Sequence, residues 1–190
     1  YLQIIDKNLN RLIRLVSDLF DFTKIEARKI EWSFEEENLT VLIEEVIEII
    51  SPLSLDKKVG IRFDGAGDQF VEMDLERIEQ VLVNLIDNAI KYSDPNTEID
   101  ITTVENPQSV TVSIKDQGVG VPEEDLVRIF DKFSTSPTGS NSQTEGTGLG
   151  LAICKAIIEA HNGTIWAESI RGISSTFHFT LPKRQNQARN

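Results

Sequence analysis

Leu2, Ile5, Leu9, Leu12, Val16 and Leu19 recur in steps of three and four, and the pattern fades by Thr23 and Glu26. This heptad seam predicts one amphipathic helix that either packs on a core or joins a helical bundle, dimeric in the second case. A polar stretch follows, with Glu35, Glu36, Glu37 and Asn38. Asn38 is placed to cap a helix over 39–50, which Ser51-Pro52 is expected to stop. Residues 59–63 and 69–73 read as strands around the turn at Gly65 and Gly67. A second helix is predicted from about Asp74 to Tyr92, with Leu75, Ile78, Leu82, Leu85 and Ala89 as its apolar stripe. Residues 98–104 and 110–115 alternate as a strand pair. Short helices are expected at 123–130 and 148–160, and a closing hairpin at 163–168 and 175–181. Residues 134–145 are rich in Ser, Thr, Gly and Asn without periodicity and read as a mobile loop. Residues 185–190 read as a frayed tail. The order of elements predicts an α+β fold of two layers.

Composition narrows the classes. The chain has 190 residues, enough for one compact domain and an appendage. No apolar run is long enough to span a bilayer. A single cysteine, Cys154, excludes an intramolecular disulfide framework and reads as a small core residue. The chain opens at Tyr1 and its one methionine is Met73, so a piece of a longer protein is expected. The net charge of -12 argues against nucleic acid as a partner. Residues 1–30 carry +2 and the rest -14, so a phosphate ligand on this body would need a cation or local donors.

Three segments carry candidate chemistry. Gly146, Gly148 and Gly150 alternate with Thr147 and Leu149 just before an apolar, helix-compatible run. Such a loop brings free N–H groups and a helix dipole close to an anion. Helix capping alone also explains a glycine-rich turn. Asp116 closes an alternating strand and is followed by Gly118 and Gly120. A carboxylate there can accept from an exocyclic amine, while a plain tight turn is the bland alternative. On the helix ending at Tyr92, Asn84, Asn88 and Lys91 share a face distinct from the apolar stripe. Asn is a poor helix-interior residue, so two on one face point to ligand contact. An amide oxygen suits Mg2+.

Taken in order, these segments resemble the ATP-binding catalytic domain of sensor histidine kinases, within the GHKL group that includes gyrase, Hsp90 and MutL. Asn84 to Tyr92 matches the N box, Asp116 to Gly120 the G1 box, Ile129 to Phe133 the F box, and Gly146 to Leu151 the G2 box. The resemblance covers the chain from about Tyr1 to Pro182. It implies a two-layer α/β sandwich of the Bergerat type, with a mixed sheet covered by helices on one face and a long amphipathic helix before it. Residues 1–30 correspond to part of the second helix of the dimerisation domain, 31–37 to a linker, 38–184 to the ATP-binding domain and 185–190 to a tail.

The resemblance also implies roles. Asp116 reads the adenine amine, and Asn88 ligates Mg2+. Asn84, Lys91 and Tyr92 contact nucleotide and phosphate, with Asn84, Asn88 and Lys91 the catalytic set. Gly118, Gly120, Phe133, Gly146, Thr147, Gly148, Leu149 and Gly150 shape the pocket and its lid, the lid being residues 134–145. Implied partners are ATP, a phosphoacceptor-histidine domain, a response regulator receiver domain and a second copy of the chain in a homodimer. The implied location is the cytoplasm, with a membrane anchor open to the full-length protein. Where gyrase and Hsp90 carry a water-activating carboxylate, this chain has Asn84, which cannot act as a general base at neutral pH. The helix at 1–30 lacks the acceptor histidine; His161 and His178 read as structural and solvent-facing, respectively. The lid also departs from the family pattern, with no Arg or Lys at 134–145. Two other readings stay open: a GHKL ATPase that drives conformational change, and a non-catalytic nucleotide-binding module.

Overall fold

The computed structural model describes residues 9, 12, 13, 16–20, 23, 24, 27, 29–65, 67–134 and 148–185. Residues 9, 12, 13, 16–20, 23 and 24 are helical, as the heptad seam predicts. Leu9, Leu12, Ile13, Val16, Leu19 and Phe20 are 49–62% exposed, so this chain alone does not cover them.

The polar stretch before the first body helix is a strand rather than a plain linker. β1 (Glu35–Asn38) pairs antiparallel with β3 (Phe70–Met73), Glu37 facing Val71. Main-chain bonding makes this strand, and its side chains give little sign of it. Helix α1 (Leu39–Lys57) begins where expected, the Asn38 side chain accepting from the Thr40 N–H at 3.1 Å. It does not stop at Pro52. Glu48, whose carbonyl loses its donor there, is solvent-exposed, while Leu42, Ile43, Val46, Ile50 and Ser54 stay buried on the other face. Packing therefore carries the helix through to Lys58, which ends it in the left-handed conformation at φ 59°.

The main sheet has the order β2-β4-β5-β7-β6. β2 (Gly60–Asp64) runs parallel to β4 (Glu98–Glu105). β5 (Ser109–Asp116), β7 (Ser174–Pro182) and β6 (Ile165–Ile170) continue antiparallel, so the sheet is mixed. β2 and β3 thus flank one turn but belong to different sheets. Val110, Val112, Ile114, Phe177, Phe179 and Leu181 point to the helices. Helix α2 (Leu75–Tyr92) packs between α1 and α4 (Gly150–Ala160). Ile78, Leu82, Leu85 and Ala89 of its predicted stripe are buried, at about 1.5–3 kcal/mol for each large side chain. Leu75, at the open first turn, is 40% exposed. Helix α3 (Glu123–Leu126) is one turn, and the chain then goes into separate turns closed by Ile129 N–H to Asp125 O at 2.9 Å and Asp131 N–H to Arg128 O at 2.8 Å. α4 begins two residues later than predicted because Gly148 takes φ 70°.

The two histidines take different settings. His161 is wholly buried at the end of α4; its Nε2 accepts from the Asp74 N–H at 3.0 Å, so Nδ1 carries the proton and donates to Ile157 O at 2.8 Å. His178 is not simply solvent-facing. It lies on the sheet's outer side, stacked at 4.9 Å under Trp166 and hydrogen-bonded through Nδ1 to Ser113 Oγ. Burial lowers the pKa of both rings. A ring pKa depressed by folding contributes stability that is complete above the ordinary value near 6.5 and is lost as pH falls below it. Ring-nitrogen NMR is therefore expected to show His161 still in its neutral Nδ1–H form at pH 6.5, and unfolding free energy is expected to decline from there toward pH 5. A His161 midpoint at or above 6.5 would contradict this burial.

Candidate functional site

Helix α2 presents the amide pair beside its buried stripe. Asn84 and Asn88 lie one turn apart with Lys91 following, and all three side chains are half-buried. A Cβ built on Gly150 would come within 3.3 Å of Asn84 Oδ1, so the missing side chain lets the first residue of α4 approach α2. Leu149 is 1% exposed and anchors the start of α4 in the core.

The far end of α2 meets the turn after β5. Ser93 bridges Gly118, and a Cβ on Gly118 would lie 2.2 Å from the Tyr92 carbonyl oxygen. Only glycine fits there. Gly120, at φ 66°, is held as closely against the Ile170 carbonyl, at 2.5 Å from its ideal Cβ. Both glycines make room for protein backbone.

Asp116 is 2% exposed. Its Oδ1 accepts from Gly118 N–H at 2.9 Å and from Ser175 N–H at 3.2 Å, while Oδ2 takes no donor among the described residues. Burial raises its pKa above the ordinary carboxylate value, and the two N–H donors oppose the rise. One oxygen is thus fixed by the fold, and the other remains for a ligand donor.

Phe133, at φ 60° and 66% exposed, donates its N–H to the Gly148 carbonyl at 2.9 Å. A Cβ on Gly148 would touch the Phe133 backbone at 2.9 Å, which ties the F box to the glycine loop. Phe130 packs edge-on against Phe177 beneath them. Gly146, Thr147 and the expected lid at 134–145, apart from Ser134, lie outside the described residues. Tyr92 is 42% exposed with the Lys91 ammonium 5.3 Å from its ring centre, and burial raises its hydroxyl pKa.

Two contributors escaped the sequence reading. Lys57, from the last turn of α1, donates to Ile90 O at 2.7 Å and to Lys91 O, capping the carbonyl end of α2. Desolvation lowers its pKa, with nearby Asp94 opposing. Ser93 is 2% exposed, and its hydroxyl has no partner among the described residues. Neither carries a motif signature; only the crossing of α1 and α2 and the bridge to Gly118 bring them to the site. Asn88, half-buried on α2, would offer a neutral amide oxygen to a hard cation such as Mg2+.

Known proteins resemble this chain in sequence and fold. Residues 73–185 match the family described as histidine kinase-, DNA gyrase B-, and HSP90-like ATPase. The sensor histidine kinase WalK of Bacillus subtilis (strain 168) is 34% identical over 189 residues, covering 98% of this chain. The chain spans 31% of that relative's length. Among solved structures, Acinetobacter baumannii histidine kinase AdeS superposes with TM-score 0.80 at 29% identity, covering 96% of this chain and 84% of that one. Histidine kinase ThkA in complex with the response regulator protein TrrA gives TM-score 0.80 at 34% identity, covering 98% and 52%.

The buried carboxylate leads to a stability prediction. A carboxyl group whose pKa is raised by folding favours the fold fully below its ordinary range, and this is lost as pH rises through the folded value. Asp116→Asn is therefore expected to raise the thermal midpoint of the ligand-free protein at pH 7 and to change it little near pH 3. A lower midpoint at pH 7 would mean that the charge stabilises the fold. Gly118→Ala is expected to destabilise by about 1–3 kcal/mol in denaturant unfolding, through overlap with the Tyr92 carbonyl.

Proposed function

The chain belongs to the histidine kinase-, DNA gyrase B-, and HSP90-like ATPase family, and from that premise we propose that it is the catalytic domain of a sensor histidine kinase, which binds Mg2+ and ATP and presents the γ-phosphoryl to a histidine on a separate acceptor domain. The observation that carries this reading is Asp116, a buried carboxylate with one oxygen held by two backbone amides and the other open. An oxygen without a protein donor on so buried a carboxylate suits a ligand donor, and the adenine exocyclic amine would supply one.

The remaining roles follow from the elements. Asn88 would hold Mg2+, which neutralises phosphate charge when bound. Asn84, Lys91 and Tyr92 line the same stretch of α2. The N-terminus of α4 would offer a favourable dipole to phosphate oxygens. Phosphoryl transfer depends mainly on positioning and charge neutralisation, which these groups provide. In the transfer, the bond from the γ-phosphorus to the bridging oxygen breaks, a bond to an acceptor imidazole nitrogen forms, and ADP leaves.

Water is a poor acceptor here because Asn84 is an amide. His161 has both ring nitrogens engaged in the core, and His178 is bonded to Ser113 under Trp166. Neither is presented as a phosphoacceptor. The uncovered apolar side chains among residues 9–20 would pack in a helical bundle with a second copy, as the dimerisation part of 1–30. The structure of ThkA with a response regulator supports a receiver domain as a further partner. ATP as substrate puts the domain's work in the cytoplasm; no helix among the described residues is long and apolar enough to cross a membrane.

Calorimetry is expected to show Mg2+-dependent binding of ATP and ADP. Asp116→Asn is expected to weaken it by about 1–3 kcal/mol, the loss of one buried charge-assisted hydrogen bond. Equal affinities would remove Asp116 from the site. With γ-labelled ATP, the chain alone is expected to gain no acid-labile phosphate and to release free phosphate slowly, while an added acceptor-histidine domain becomes labelled. Fast phosphate release would instead place the chain among the ATPases.

A further inference from the structure

The helices that frame the proposed pocket meet again at their far ends, around Asp74 and His161. Asp74 Oδ1 caps α2 by accepting from Arg77 N–H at 3.2 Å. Its Oδ2 accepts from Ser33 N–H at 3.0 Å, 41 residues upstream. The Asp74 N–H in turn donates to His161 Nε2, at the end of α4. Trp32 and Phe34 close over the imidazole edge-on, with ring centres 5.6 Å and 5.0 Å away. His161 is fully buried and Asp74 is 8% exposed. The segment joining the N-terminal helix to the body is therefore bonded into the point where α2 and α4 are clamped together. Asp74 lies ten residues before Asn84, about 15 Å along the helix axis from the pocket.

We propose that His161 is a positioning residue for nucleotide binding and phosphoryl transfer: with Asp74 it couples the seating of Trp32, Ser33 and Phe34 to the relative placement of α2 and α4. The inference rests on the reading of the pocket as an ATP site. When residues 32–34 are seated, Asp74 has donors on both oxygens, and the imidazole stays dry and neutral. When they leave, Asp74 loses the Ser33 donor, water reaches His161, and the clamp between the two helices weakens. A nucleotide that bridges Asn88 on α2 and the start of α4 restrains the same pair from the other end. Each event then favours the other by the same factor, because coupling between binding equilibria is reciprocal.

The test uses the full 190-residue chain and Mg2+ with ADP. Trp32→Ala/Phe34→Ala changes no pocket residue and keeps both Asp74 and His161. It is expected to weaken ADP about fivefold or more in calorimetry. In the wild type, saturating ADP is expected to slow hydrogen exchange of the Ser33 amide by a similar factor. His161→Phe, which keeps an aromatic ring but loses the acceptor for Asp74 N–H, is expected to abolish the effect of ADP on Ser33. Unchanged ADP affinity in a folded double variant, or Ser33 exchange that ignores ADP, would overturn the coupling and leave the ATP site intact. If the double variant fails to fold, the Ser33 measurement on the wild type decides. Failure of the wild type to bind ADP at all would remove the ATP reading and this inference together.

Discussion

Seven side chains of α2, from Ile78 to Ile90, are buried against α1, α4 and the sheet, so this helix cannot slide without exposing them. Its fixed position sets the site. Asn84 lies against the first residue of α4, and the Tyr92 carbonyl lies against Gly118, eight residues or about 12 Å further along. The stretch of α2 between them carries Asn88 and Lys91 of the proposed site. A pocket built on a packed helix holds its amides more firmly than one built on loops alone, because their backbone is held by the core.

Charge is handled locally on an acidic body. Lys57 places its ammonium on the carbonyl end of α2, where the helix dipole is negative, and that cation lies close to the Lys91 backbone. Asp116 keeps a carboxylate where burial disfavours ionisation, with only two amide donors to offset it. Such a group costs the ligand-free fold stability and suits a site where a ligand supplies the missing donor. The same chain buries Cys154 wholly, which pushes its thiol pKa up and leaves it a core residue.

The histidines show how burial separates function from composition. His161 reads in the sequence as a structural residue at a helix end, beside Asn162 and Gly163. In the fold it joins Asp74 to α4 and lies under Trp32 and Phe34. His178 shares an alternating strand with Phe177 and Phe179 but gains a tryptophan from the neighbouring strand. Each has one hydrogen-bonded, partly or wholly covered ring, and so the acceptor in the proposed reaction is sought on another domain.

Local pattern alone determined the helices α1, α2 and α4, the pair β4 and β5 and the closing hairpin, because periodicity and glycine placement act over a few residues; the four boxes rest on the family resemblance. It identified Asn84, Asn88 and Asp116 as residues out of keeping with their elements. Tertiary structure decided the rest. Pro52 stays inside α1 because the buried face continues past it, and residues 35–38 form β1 because β3 offers a ladder. Gly118 and Gly120 are required by the carbonyls of Tyr92 and Ile170, which no spacing in the sequence brings near. Lys57, Ser93 and the clamp at Asp74 and His161 are likewise contacts between distant segments. Their physical basis is close packing and the satisfaction of buried polar groups, which exist only once the chain has folded.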